Sequence, residues 1–226
     1  MSHQTNTVRI KAVANALDLL KEKIVFVGGA TVSLYPDRQA FEVRPTDDVD
    51  VIIEILNHQS RAELEERLRA IGFSHDIESG VICRYKIQGI IVDIMPTNDP
   101  SIGFSNKWYP DGFNQAVEYK IDEQCSVQIL SAPYFIATKL EAFKGRGQND
   151  GRTSQDFEDI IYVLENRASI WEEMNISNET VKNYLRSEFQ NLLNNPNHFE
   201  WIDVHTERGS SPATYFIIEA LKQFAK

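Results

Sequence analysis

The sequence predicts an α+β fold: a mixed or antiparallel sheet with flanking helices, followed by a C-terminal helical region. Two observations carry this. Between residues 24 and 130, short apolar runs rich in Val and Ile are separated by Gly, Asp and Gln turns, as strands require. Beyond Leu130 the apolar residues recur at helical spacing instead. With 42% apolar and 25% charged residues over 226 positions, the composition is that of a globular chain long enough to bury a core. The change of period places a core domain over 1–130 and a helical domain over 131–226.

Taken in order, Ile10, Val13, Ala14, Leu17 and Leu20 predict an opening amphipathic helix. Ile24 to Val27 reads as a buried strand running into Gly28-Gly29-Ala30-Thr31, with a short helix starting at Val32 to Tyr35 that Pro36 and Asp37 stop. Val49 to Ile55 is a β-branched strand with Asp48 and Asp50 at its mouth. A helix from about Ser60 to Ile71 ends at Gly72. Val81 to Ile87 and Ile90 to Met95 flank Gln88-Gly89, a two-residue turn that predicts an antiparallel hairpin. Val117 to Ile121 and Ser126 to Leu130 predict a second hairpin around Asp122 to Cys125. Ser131 and Pro133 open a helix lined by Ile136, Ala137, Leu140 and Phe143, and Phe157, Ile160, Ile161 and Leu164 line the next. Between them, 144–152 is a glycine-rich basic connector. Further helices are expected from Ser177 to Leu193 and from Pro212 to Ala225, with Asn194-Asn195-Pro196-Asn197 as a breaker.

Several function classes are excluded by composition. A formal charge of −10 and a pI near 5.0 argue against a wide DNA or RNA footprint, which needs many Lys and Arg side chains on phosphates. Apolar runs such as Ile24 to Val27 are far shorter than the roughly 20 residues of a membrane span. The N-terminus lacks the apolar core of a secretion signal, so a cytoplasmic protein is expected. Cys83 and Cys125 lack metal-ligand spacing and read as reduced, buried thiols. His3, His58, His75, His198 and His205 share no metal spacing either.

The chemistry lies in carboxylates. Asp48 and Asp50 are two apart on a strand, so their side chains leave one face, whereas Asp47 points away. Asp93 stands inside the apolar run Ile90 to Met95, where an ionised group needs compensation. Three carboxylates on neighbouring strands can hold two Mg²⁺ ions about 3.5–4 Å apart, the arrangement of in-line phosphoryl or nucleotidyl displacement. All-oxygen ligands favour Mg²⁺ or Mn²⁺ over zinc. Gly28 and Gly29 let the backbone approach phosphate oxygens, and Thr31 can add a hydroxyl. A diglycine bend alone is more often a plain strand-to-helix turn, and a lone DxD a solvated strand end. The order of GG, DVD and an isolated strand Asp is far more specific.

Gly28-Gly29-Ala30-Thr31, then Arg44-Pro45-Thr46-Asp47-Asp48-Val49-Asp50-Val51, then Ile91-Val92-Asp93-Ile94 resembles the nucleotidyltransferase fold of the DNA polymerase β superfamily. Adding Lys139-Leu140-Glu141-Ala142-Phe143 and Ser154-Gln155-Asp156-Phe157-Glu158-Asp159-Ile160, the pattern is similar to AbiEii-type nucleotidyltransferase toxins of toxin–antitoxin and phage-defence systems. The matching segments span roughly 24–164. The resemblance implies use of an NTP with Mg²⁺, transfer of a nucleotide to a tRNA end or a protein hydroxyl, and a possible antitoxin partner. It implies that Gly28, Gly29 and Thr31 hold the triphosphate and that Asp48 and Asp50 ligate both metals. Asp93 would complete one metal site and help deprotonate the acceptor, and Lys139 would neutralise phosphate charge. Asp156 matches the downstream acidic position, with Asp159 as a competing candidate. The nucleotide would lie in a cleft between the two domains.

Each residue has a plainer alternative. Lys139 alone reads as a solvated helix residue, and Asp156 and Asp159 as first-turn carboxylates complementing a helix dipole. Lys144, Arg146 and Arg152 read first as a solvated linker and second as phosphate contacts. Phe104, Trp108, Tyr109 and Phe113 read as rings packed on the sheet, with base stacking as the sharper option. At the level of the whole chain, the alternative to an enzyme is a catalytically silent nucleotide-binding or interaction module of the same fold, or a phosphotransferase using the same metals.

Overall fold

A computed structural model describes residues 2–38, 40, 43–55, 58–98, 106–147, 150–207 and 211–226. The chain divides into two compact units, Met1–Leu34 with Glu42–Ser131, and Tyr35–Phe41 with Ala132–Lys226.

The first unit is built on one mixed sheet. Helix α1 (Ser2–Leu17) buries Ile10, Val13, Ala14 and Leu17, as its apolar spacing requires, and a 3₁₀ segment, Asp18–Lys23, delivers the chain to strand β1 (Ile24–Val27). A second 3₁₀ turn, Gly29–Leu34, follows the diglycine bend. The other strands are β2 (Asp48–Ile53), β3 (Ser74–His75), β4 (Arg84–Ile87), β5 (Ile90–Pro96), β6 (Val117–Lys120) and β7 (Ser126–Ile129). Among the described residues the sheet order is β3-β4-β5-β2-β1-β7-β6. β1 pairs antiparallel with β2 and parallel with β7, and β2 pairs parallel with β5. The mixture is what the sequence predicts for the fold class. All four residues of β1 are buried, which explains its uninterrupted apolar run.

Both hairpins form. β4 and β5 are antiparallel, with Ile87 opposite Ile90. Gln88 and Gly89 both take positive φ, 50° and 80°, the mirror-image turn whose twist suits a two-residue hairpin. β6 and β7 pair antiparallel across 121–125. Helix α2 (His58–Ala70) stops at Gly72, where the Phe73 N–H donates to the Leu68 carbonyl.

The structure differs from the sequence expectation in several elements. β4 begins at Arg84 rather than Val81, because 77–83 fold back as a 3₁₀ turn and loop that lead from the two-residue edge strand β3. β2 ends at Ile53, two residues short of Ile55. Residues Tyr109–Asn114, read as loop, form the short helix α3, with Trp108 and Tyr109 buried; Phe104 lies outside the described residues. These pieces are too short for a periodic signal.

In the second unit, α4 (Ala132–Arg146) packs on α5 (Gln155–Asn166), α6 (Ile170–Ile176) and α7 (Glu179–Asn194). Helix α8 (His198–Asp203) and helix α9 (Ser211–Phe224) complete it. The short helices α6 and α8 are additions to the expected set. Ser154 caps α5, its hydroxyl accepting from the Phe157 N–H at 3.3 Å. The segment from Tyr35 groups with these helices. Its Asp37 carboxylate accepts the Ala168 and Ser169 N–H groups at 2.8 and 3.1 Å, and the Tyr35 carbonyl accepts from Arg167 at 2.7 Å. Lys144, Gly145 and Arg146, expected in a connector, extend α4. No helix among the described residues is long and apolar enough to cross a membrane.

The hairpin turn can be tested directly. Gly89→Val forces a β-branched residue to φ near 80°, which costs roughly 1–2 kcal/mol; urea denaturation of the variant against Gly89→Asn, which tolerates this conformation, checks the value.

Candidate active site

The site is set by register. In the parallel pairing of β2 with β5, Asp50 lies directly opposite Asp93 and Asp48 opposite Ile91. Because side chains alternate faces, Asp48, Asp50 and Asp93 share one side of the sheet. Val49, Val51 and Val92 take the other side and are fully buried. Carboxylate oxygens of the three aspartates come within 4.8 Å of one another. Three sequence-predicted ligands therefore converge. Among the described residues this is the one cluster of acidic, His or Cys side chains with metal-binding spacing.

The diglycine bend abuts the same point. Val27, the last residue of β1, pairs with Asp50, so Gly28 lies against the Asp50 side chain. A Cβ at Gly28 would meet Asp50 Oδ2 at 1.9 Å, and Gly28 has φ +73°. A Cβ at Gly29 would meet an Arg44 guanidinium nitrogen at 2.8 Å. The glycines serve close approach as well as the turn. Thr31 is buried and its hydroxyl donates to the Gly28 carbonyl at 2.9 Å, bracing the bend. The chain leading to Asp48 is fixed by α1. Buried Asn6 accepts from the Thr46 N–H and donates to the Arg44 carbonyl, both at 3.2 Å, and the Thr46 hydroxyl donates to the Asp48 carbonyl at 3.1 Å. Asn6 carries no motif that announces this.

Arg84 is the functional neighbour that motif reading missed. It sits opposite Asp93 in the β4–β5 ladder. Its Nε and Nη2 donate to the two Asp93 oxygens at 2.8 and 2.7 Å, and Nη2 also reaches Asp48 Oδ2 at 3.3 Å. The hydrogen bonds to Asp93 raise the Arg84 pKa further above its ordinary value, so the group is permanently charged. A pairing count would have found it: with Gln88-Gly89 as a two-residue turn, position 84 must face position 93. Next to it, burial pushes the Cys83 thiol pKa up, which keeps it protonated and unreactive.

A second charged cluster forms within the helical unit. Lys139 is buried, not solvated; its ammonium lies 3.1 Å from Asp156 Oδ1 and 2.5 Å from Asp159 Oδ2. Arg146, expected in a linker, extends from α4 and donates to both Asp156 oxygens at 2.7 and 2.9 Å. Burial alone would raise the Asp156 pKa, but the Arg146 hydrogen bonds and the Lys139 charge outweigh it and hold the carboxyl below 3.8. Burial alone would lower Lys139, but Asp159 and Asp156 outweigh it and hold the amine above 10.5. Asp156 and Asp159 thus share one cation. The other basic residues of the connector are paired as well: Lys144 with Glu141 and Glu188, and Arg152 with Asp150 and Glu200.

A mixed sheet presenting a diglycine bend and a DxD strand beside a third aspartate defines a protein of the nucleotidyltransferase fold. Residues 12–208 match the family described as nucleotidyl transferase AbiEii toxin, type IV TA system. That span covers most of the chain, and the chain belongs to this family: nucleotidyltransferase toxins of toxin–antitoxin systems. No curated protein matches it significantly.

Two outcomes test these arrangements. Gly28→Ala is expected to displace Asp50 and to lower the melting temperature, with near-UV circular dichroism and thermal unfolding as readouts. For the helical cluster, the stability owed to Asp156 is present above pH 3.8 and lost as pH falls through its lower folded value; that owed to Lys139 is present below pH 10.5 and lost as pH rises through its higher one. Stability from the cluster is therefore flat between these limits, and Asp156→Asn flattens the acid limb of a stability–pH curve. Lys139→Met leaves two buried carboxylates short of a partner and is expected to cost roughly 3–5 kcal/mol.

Proposed function

We propose that this chain is a divalent-metal-dependent nucleotidyltransferase that moves an NMP from an NTP onto an acceptor RNA, such as a tRNA end, or onto a protein hydroxyl, and that an antitoxin restrains it. The observation supporting this reading is the convergence of Asp48, Asp50 and Asp93 within 4.8 Å beside the diglycine bend. The donor set is all oxygen, which suits Mg²⁺ or Mn²⁺. When bound, such ions would polarise the α-phosphate, activate the acceptor hydroxyl and stabilise the departing pyrophosphate.

The chain's own residues would divide the work by position. Asp48 and Asp50, projecting from one strand, would hold the cations. Asp93, on the adjoining strand, would complete one cation site and help deprotonate the acceptor hydroxyl. Gly28 and Gly29 would admit phosphate oxygens to the backbone, with Thr31 holding the bend in shape. Lys139, its charge taken up by Asp156 and Asp159, would tie α4 to α5 within the helical domain. The division of labour is a core over 1–130 that carries the metal ligands and a helical domain over 131–226 that carries Lys139.

Incubation with α-labelled NTP, Mg²⁺ and total RNA or cell protein tests the reading. Transfer of label is expected from the unaltered protein. Losing a direct ligand should cost at least the 10–100-fold that follows loss of a supporting partner; Asp50→Asn and Asp93→Asn are therefore expected to reduce transfer by about 100-fold or more. Persistence of transfer in excess chelator would refute the metal requirement. Appearance of γ-label on the acceptor would make the protein a phosphotransferase instead.

A further inference from the structure

Arg84 is placed where a divalent cation would act. Its Nη2 bridges Asp93 and Asp48, and its Nε takes the second Asp93 oxygen. The guanidinium thus uses oxygens of two of the three converging carboxylates. Neither the diglycine bend nor the DxD pattern calls for an arginine here; the β4–β5 register alone delivers it.

We propose that Arg84 is the resident counter-ion of the carboxylate cluster and competes with the divalent cation for the same oxygens, which sets how readily the site loads. The inference rests on the metal-binding reading above and goes beyond it. Asp48, Asp50 and Asp93 lie at close range, and Arg84 brings a positive charge to Asp48 and Asp93. With no cation bound, that charge keeps Asp93 and Asp48 together against their repulsion. As a divalent ion approaches, the contacts of Arg84 to those oxygens must loosen, and its charge repels the ion wherever the side chain moves nearby. A substrate that brings its own negative charge gives the released guanidinium a new partner, because a planar fork fits a phosphate as well as it fits a carboxylate. Loading of metal and binding of a triphosphate are thereby coupled through one side chain.

The test is Mn²⁺ titration of chelator-stripped protein, with free Mn²⁺ read by electron paramagnetic resonance, in the unaltered chain and in Arg84→Met, Arg84→Lys and Asp50→Asn. Arg84→Met is expected to bind Mn²⁺ about tenfold more tightly, the exchange of one charge-assisted contact. Arg84→Lys, which keeps the charge and loses the fork, is expected to fall between. Stripped Arg84→Met is also expected to melt below the unaltered protein, with the gap closing as Mn²⁺ saturates. A residue with only a structural role would not tighten metal binding. Equal or weaker Mn²⁺ binding in folded Arg84→Met and Arg84→Lys would overturn the competition and leave the metal-binding reading standing. If Arg84→Met does not fold, Arg84→Lys decides by the same criterion. Binding that is absent from the unaltered protein, or indifferent to Asp50→Asn, would overturn the metal-binding reading and this inference with it.

Discussion

Three carboxylates cannot sit within a few ångströms of one another by their own preference, since like charges at that range repel unless something holds and compensates them. Here the parallel pairing of β2 with β5 does the holding. It sets Asp50 opposite Asp93 and turns Asp48 to the same face, while Val49, Val51 and Val92 anchor the opposite face in the core. A slip of one residue would send the aspartates into hydrocarbon and the valines out of it. The buried valines therefore enforce the geometry of the charged face. Other features around the site serve the same register: the absent side chain at Gly28 makes room for Asp50, and Asn6 on α1 ties down the segment ahead of Asp48.

Much of this was legible in the sequence, for identifiable reasons. The β-branched run after the DVD motif, the apolar run around Asp93 and the two-residue turn are each strong local signals, and each formed, the first of them two residues shorter at its end. What could not be read was the order of strands in the sheet, because the parallel pairing of β2 with β5 joins segments some 40 residues apart in sequence. The edge strand β3 and helices α3, α6 and α8 are two to seven residues long. Pieces of that length adopt their form from surrounding packing more than from pattern. Arg84 is a different case. Its position opposite Asp93 follows from counting outward from Gln88-Gly89, but the carboxylate pattern carries no mark of the strand across from it.

Lys139 shows where residue type misleads. A lysine on a helix is ordinarily solvated, and the glycine-rich stretch after it reads as a flexible link. The structure instead continues α4 to Arg146 and caps α5 at Ser154. These two helix ends bring Arg146 and Asp156 together, and with them Lys139 and Asp159. The spacing of Asp156 and Asp159, three apart on one helix face, is what lets both address one ammonium. First-turn carboxylates favour a helix N-terminus in any case, so the same residues serve the helix and the ion network.

The two charged clusters differ in a way that bears on what each can do. Lys139, Arg146, Asp156 and Asp159 carry two charges of each sign, and all but Arg146 are buried. A balanced, buried network is costly to break and has little call for a further ion. Asp48, Asp50 and Asp93 bring three carboxylates to one face, where Arg84 contacts two of them, and Asp48 and Arg84 remain partly open to solvent, with 36% and 24% side-chain exposure. Carboxylates so arranged, and not wholly closed off, suit cations from solution. The sheet supplies a fixed frame, so the carboxylates need little rearrangement to receive them. On the proposed reading, the negative charge of these carboxylates would repel a triphosphate that came alone, so metal and nucleotide would depend on each other at this face.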